Sequence, residues 1–254
     1  MQSNTFSAFF SGQKLITLNE VSSTNDYLKD RLSKSAPFKE GTVIMAVDQW
    51  KGRGQRGNKW LSEPGKNLTF SLLLKPTFLN IERQFDLNIA ISVSVIQCLQ
   101  MLLGNRILIK WPNDIYIGDQ KLGGMLIENT ISGAEWKESV VGIGINVNQD
   151  HFGELTRACS IKQLLQEEYI ITDLLYELCG RIEANYLELK ATGISQLKSI
   201  YIQHLFGHNQ VREYSIDGVR VLGKIIDVSG EGHLILDFQG HHASFDFKEI
   251  VFVF

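Results

Sequence analysis

The chain is poor in sulfur and has almost no net charge. Among 254 residues there are three cysteines, and 25 Lys plus Arg stand against 28 Asp plus Glu, a net charge of −3. Cys98, Cys159 and Cys179 are odd in number, far apart and set in apolar surroundings. That excludes a disulfide framework and a cysteine-rich metal site, and fits reduced core thiols in a cytoplasmic protein. The slight acidic excess gives no global pull toward nucleic acid, so any anion site must be local. The first residues lack a basic segment followed by a long apolar run, so no secretory signal is expected. The most apolar stretch, residues 85–103, is broken by Asp86, Asn88, Ser92, Ser94, Gln97 and Gln100, so no membrane span of about 20 apolar residues is expected. Internal repeats and low-complexity tracts are missing as well. What remains is the ordinary composition of a globular protein, with enough chain for one large cored domain and a small appendage.

Positive charge is concentrated instead at KGRGQRGNKW, residues 51–60. A β-branched, apolar run at 41–49 reads as a buried strand that delivers the chain into this stretch. Gly52, Gly54 and Gly57 let backbone N–H groups approach an anion, and Arg53 and Arg56 add planar forks suited to phosphate or carboxylate. Trp60 offers a ring for stacking on a planar base. GRGQRG formally fits G-x-G-x-x-G, but the following LSEPGKN forbids the helix that a dinucleotide site needs. It is not a G-x-x-x-x-G-K-[ST] loop either. Taken alone, the segment reads equally as an anion-binding loop or a solvated basic turn.

The other elements follow from periodicity. Residues 14–18 predict a strand, and Ser22-Ser23-Thr24-Asn25 offers caps to a short helix over 26–32. Residues 67–76 predict a second buried strand. Leu87, Ile91, Val95, Leu99 and Leu102 mark one face of a long helix, as do Leu175, Leu178, Ile182, Tyr186 and Leu189. Strands are predicted at Asp114–Ile117, 121–128 and 136–146, joined by turns at Gly118-Asp119 and Ser132-Gly133, and a last helix over 193–206. After Gly207 five short β-rich runs predict a small barrel-like module. The expected organisation is α+β, with units 1–206 and 207–254.

Two further segments carry chemistry. In KWPND, Lys110 and Asp114 flank a Trp-Pro turn, and Asn113 and Asp114 supply oxygens suited to Mg²⁺ or to orienting an amine. In KLGG, Lys121 precedes two glycines that leave room for a ligand, although taken alone the segment reads first as a charged hairpin with a surface lysine. Gly142 and Gly144 in VGIGINVN mark either close approach of a ligand or crowding by a neighbouring helix. His241 and His242 are adjacent in a hairpin and point to opposite faces, so they do not form a metal pair.

SSTN at 22–25, DQWKGRGQRGNKW at 48–60, KWPND at 110–114, KLGGMLIE at 121–128 and GIGINVN at 142–148 together resemble the biotin protein ligases, in family order. The module after 207 resembles that family's C-terminal SH3-like domain. The resemblance implies a mixed sheet with helices packed on it. It implies attack of biotin's carboxylate on the α-phosphate of MgATP, then transfer from biotinyl-5′-AMP to a lysine of a biotin carboxyl carrier domain. Biotin and MgATP are the substrates, Mg²⁺ is the metal at Asn113 and Asp114, and no prosthetic group is implied. It assigns biotin contacts to Ser23, Thr24, Asn25, Gln49, Gly52, Arg53, Gly54, Gln55, Lys121, Gly124 and Gly142. It assigns adenylate contacts to Arg53, Arg56, Trp60, Asn113, Asp114, Lys121 and Asn146, and catalysis to Lys121, Arg53 and Asp114. Gln55 departs from the pattern, since many members carry arginine there. With motifs beginning by residue 22, a DNA-binding role is not expected, nor a membrane partner. Family members differ in oligomeric state, a homodimer among them. A lipoate or octanoate ligase or transferase of the same fold is the alternative enzyme, and a non-catalytic biotin or nucleotide sensor the alternative from another class.

Overall fold

The computed structural model describes residues 2–5, 14–34 and 38–254, with the Arg56 side chain and those of 2–5 outside that description. Eight strands form one mixed sheet. In chain order these are β1 (Gln2–Thr5), β2 (Lys14–Val21), β3 (Val43–Gln49), then, past a small hairpin of β4 (Gly52–Arg53) and β5 (Lys59–Trp60), β6 (Leu68–Leu74), β7 (Ile107–Lys110), β8 (Asp114–Ile117), β9 (Gln120–Ser132) and β10 (Glu135–Ile145). Their order across the sheet is β1-β2-β3-β6-β10-β9-β8-β7. Only β2 and β3 run parallel; the other neighbours are antiparallel.

The sheet is covered on both faces. Helix α1 (Thr24–Ser33), capped by Ser23, lays Leu28 against Ile16, Ile44, Leu73 and Val140 on one face. On the other face pack α2 (Gln84–Leu103), α4 (Ile171–Thr192) and α5 (Ser195–Gln203), while α3 (Ile161–Leu165) is short. By length and composition α2 alone among the described residues suits a bilayer, yet most of its apolar window is buried against the sheet and α4. Its serines are internal: Ser94 donates to Ala90 O at 2.7 Å. It is a core helix.

The five strands expected after Gly207 are all present: β11 (Val211–Ile216), β12 (Val219–Val228), β13 (Leu234–Phe238), β14 (His241–Phe245) and β15 (Ile250–Phe252). They pair antiparallel in the order β14-β13-β12-β11-β15. This sheet closes on the first one beside KWPND. Trp111 Nε1 donates to Gly232 O at 2.9 Å, and Tyr116 stacks on Phe254 at 6.0 Å between centroids.

Candidate active site

Strand register builds the floor of a cleft on the α1 face. Thr69 pairs with Gly144, Gly144 with Gly124, Gly124 with Asp114, and Asp114 with Lys110. These five residues form one row across β6, β10, β9, β8 and β7, roughly 19 Å long at the usual spacing between strands. The adjacent row is Ser71, Gly142 and Leu126. The cleft over these rows is lined by Ser23, Thr24, Asn25, Gln49, Arg53, Gly54, Gln55, Trp60, Asn113 and Lys121 as well. The sheet thus gathers segments that lie more than a hundred residues apart in the chain, as Ser23 and Gly144 do.

One end of the row is neutral and polar. Gln49 Oε1 accepts from Thr24 N at 2.8 Å and from Thr24 Oγ1 at 3.2 Å. Ser71 Oγ donates to Asn25 Oδ1 at 2.5 Å and meets Thr24 Oγ1 at 2.7 Å. Two buried polar atoms here have no protein partner, Thr69 Oγ1 and Trp60 Nε1. Such orphans are costly unless something fills them.

The other end is charged. Lys121 Nζ lies 2.6 Å from Asp114 Oδ1, with the lysine stem folded over Gly124. The root of Lys121 is fixed on both sides: its N–H donates to Arg157 O at 2.6 Å, and its carbonyl accepts from Cys159 N at 3.0 Å. Asn146 holds that strap from behind, donating to Cys159 O from its side chain at 2.9 Å and accepting from Ile161 N.

Several expected roles therefore look different in place. Asn146 does not line the cleft; it scaffolds the segment that anchors Lys121. Gly52 is likewise off the wall, and a Cβ there would fall 2.5 Å from Trp60 O, so it lets β4 and β5 close. Crowding by a neighbouring helix, one reading of Gly142 and Gly144, holds at Gly142, which lies under Asn25 of α1, whereas Gly144 lies under the Trp60 indole of strand β5. Ser23 caps α1, accepting from Asp26 N. The Asn113–Asp114 pair is not a preformed metal cage. Asn113 Nδ2 donates to Met125 O, Asp114 is engaged by Lys121, and no group of three His, Cys, Asp or Glu converges among the described residues.

Sequence reasoning missed the acidic clasp on Arg53. Its Nη2 meets Asp26 Oδ1 at 2.6 Å and Glu128 Oε2 at 2.7 Å. Glu128 also accepts from Lys29 at 2.6 Å and from Asn25 Nδ2 at 2.8 Å. Burial pushes Glu128 up, but the hydrogen bonds from Lys29, Asn25 and Arg53 outweigh it and hold the carboxyl below its ordinary value. Burial likewise pulls Arg53 down, and the bonds and charges of Glu128 and Asp26 more than reverse that. The glycine hairpin is thus clipped to α1 and β9 at the mouth of the neutral pocket.

Because the folded Glu128 has the lower pKa, its stabilisation is present above the unfolded value near 4.3. It is lost as pH falls through that value toward the folded one. Glu128→Gln is expected to cost about 1 kcal/mol at neutral pH, small because the clasp is partly exposed. The difference in melting temperature from the parent should shrink as pH falls below about 4.5. A difference that persists unchanged at low pH contradicts the ionic clasp.

Comparison with known proteins agrees with this geometry. Residues 18–146 match the biotin/lipoate A/B protein ligase family. The chain is similar to the bifunctional ligase/repressor BirA of Bacillus spizizenii, 30% identical over 233 residues, covering 90% of this chain and 70% of the relative. It is also similar to the biotin–protein ligase of Homo sapiens, 32% identical over 143 residues, 54% of this chain and 20% of the relative. Among solved structures, the biotin protein ligase of Aquifex aeolicus in complex with biotin and ATP superposes with a TM-score of 0.78 at 28% identity, covering 93% and 97% of the two chains.

Proposed function

The chain belongs to the biotin/lipoate A/B protein ligase family, with biotin protein ligases as its relatives, and from that premise we propose how its own residues join biotin to a protein lysine at the expense of ATP. The lipoate-ligase alternative is not favoured. The observation that carries the reading is Lys121, anchored through its backbone and held over Gly124 between a neutral pocket and a charged end.

Biotin's ureido ring carries matched donors and acceptors and no charge. The neutral end supplies Thr24, Asn25 and Gln49, backed by Ser71, with Thr69 Oγ1 and Trp60 Nε1 unspent. The carboxylate then points toward Lys121. One carboxylate oxygen attacks the α-phosphorus, and the bond to the β-phosphate oxygen breaks with its electron pair, releasing pyrophosphate. Two anions must meet in this step. At about 4 Å and an effective dielectric near 20 each cation–anion contact is worth roughly 4 kcal/mol, so a fixed ammonium between them accounts for much of the catalysis. Asp114 keeps Lys121 aimed, and in the second step stands beside the mixed anhydride where an incoming lysine amine must lose a proton. Arg56, Gly54 and Gln55 belong to the hairpin that closes over the adenylate.

The acceptor in this reading is a biotin carboxyl carrier domain of a carboxylase, encountered in the cytoplasm, and the units 1–206 and 207–254 act together. With ATP, biotin and such a carrier domain, streptavidin should detect a labelled carrier. An unlabelled carrier, with lipoate accepted in its place, contradicts the reading.

Gln55 sits on the cleft wall where an added cation would face the adenylate. Gln55→Arg is expected to slow release of biotinyl-5′-AMP about tenfold, the effect of roughly 1.4 kcal/mol. Release measured by rapid filtration checks this; an unchanged rate shows that Gln55 does not limit retention.

A further inference from the structure

Lys110 ends the floor row at its charged end, two strands beyond Lys121. Its ammonium lies in a cage of three rings, 4.8 Å from the centroid of Phe252, 5.5 Å from Tyr116 and 5.7 Å from Phe254. Arg157 covers the Phe254 ring as well, at 4.5 Å. The cage holds the stem and supports the charge from the ring faces. It accepts none of the three N–H bonds in the way an oxygen does. Among the described residues no carboxylate lies within 4 Å of the Lys110 Nζ and no hydrogen bond from it is formed, while Asp114, its cross-strand neighbour, is engaged by Lys121. Burial accordingly lowers the Lys110 pKa, with Asp114 opposing and Lys121 reinforcing the shift.

A desolvated cation without a counter-ion is expensive, and it is placed where something supplies one. Lys110 lines the cleft. Strand order fixes which anion: the neutral pocket is at β6 and β10, Lys121 is on β9, and Lys110 is on β7, farther from the pocket than the reacting carboxylate. We propose that Lys110 is the docking cation for the β- and γ-phosphates of ATP and for the pyrophosphate that leaves, and that Phe252 of β15 and Phe254, two residues beyond it, position it. The inference rests on the proposed ligase reaction and adds to it the residue that receives the leaving group. As the bond between the α-phosphorus and the bridging oxygen breaks, the electron pair goes to pyrophosphate, and Lys110 pairs with that charge while keeping its proton. It also explains what a separate β-sheet contributes to chemistry on the first one.

The two half-reactions separate this role from a structural one. Lys110→Met is expected to lower kcat/KM for ATP in biotin-dependent pyrophosphate release at least tenfold, and to weaken binding of inorganic pyrophosphate similarly. Transfer from supplied biotinyl-5′-AMP to a carrier domain should stay within about twofold of the parent. Lys110→Arg should recover most of the ATP step, and Phe252→Leu should raise KM for ATP more than KM for biotin. Equal losses in both half-reactions, with a lowered melting temperature, make Lys110 a structural staple and overturn the proposal, as does an unchanged ATP step. If the parent protein itself forms no biotinyl-5′-AMP, the ligase reading fails, and that outcome is visible before any variant is made.

Discussion

Lys121→Ala is expected to cut biotin-dependent pyrophosphate release by about 10²–10³-fold and to abolish carrier labelling with it, the scale of losing one preorganised charge at the reacting centre. The size follows from how little else can replace it. Arg53 is held by Asp26 and Glu128, and Lys110 lies two strands away in its aromatic cage. Lys121 itself is rooted by backbone bonds to Arg157 and Cys159, so its ammonium needs no reorganisation when the substrates arrive. The fold should survive, because the side chain is partly exposed and its one ion pair, to Asp114, is of the kind worth little to stability. Pyrophosphate release and a melting curve on the same sample check both halves. A variant that releases pyrophosphate at the parent rate removes Lys121 from the mechanism.

Gly142→Ala should weaken biotin binding while leaving the charged end intact. A Cβ at this position would overlap the Asn25 carboxamide, lying 2.9 Å from its Cγ. The strand cannot retreat, being paired to Ser71 on one side and Leu126 on the other. Asn25 must therefore leave, and with it go its bonds to Ser71, to Leu126 O and to Glu128. Displaced, the Asn25 carboxamide no longer reaches the ureido ring, and loss of two bonds to biotin at about 1 kcal/mol each predicts a rise in KM for biotin of roughly 30-fold. KM for ATP should change much less. Equal rises in both, or none, contradict the assignment of this end of the row to biotin.

How much of this was legible beforehand depended on the range of the interaction. The long helices showed themselves by local periodicity, since one face of α2 and of α4 is buried almost continuously. The hairpin turns were legible because Gly118 and Gly133 adopt positive φ, 55° and 61°, at the predicted places. The membership of the site was legible by motif, and most of the residues named from SSTN, the glycine loop, KWPND and KLGG do line one cleft. Its internal wiring was not. The clasp joins Arg53 to Glu128, 75 residues apart, and the cage joins Lys110 to strands more than a hundred residues later. No local pattern announces such a pair; only register brings it together. Gly142 and Gly144 illustrate the same limit. Their smallness was plain in the chain, but whether a ligand or a protein side chain fills the space depends on which residue the fold lays over them. Asn146 stands within a matching motif, yet its backbone and its side-chain N–H are bonded inside the protein.

The central claim is that this cleft activates biotin on the α-phosphate of ATP, and it is tested most directly without any acceptor. The protein, mixed with ATP and biotin alone, should release a burst of about one pyrophosphate per active site. Biotinyl-5′-AMP should then be recoverable from the protein by mass. Release of phosphate with ADP, or a burst that lipoate supports and biotin does not, contradicts the account.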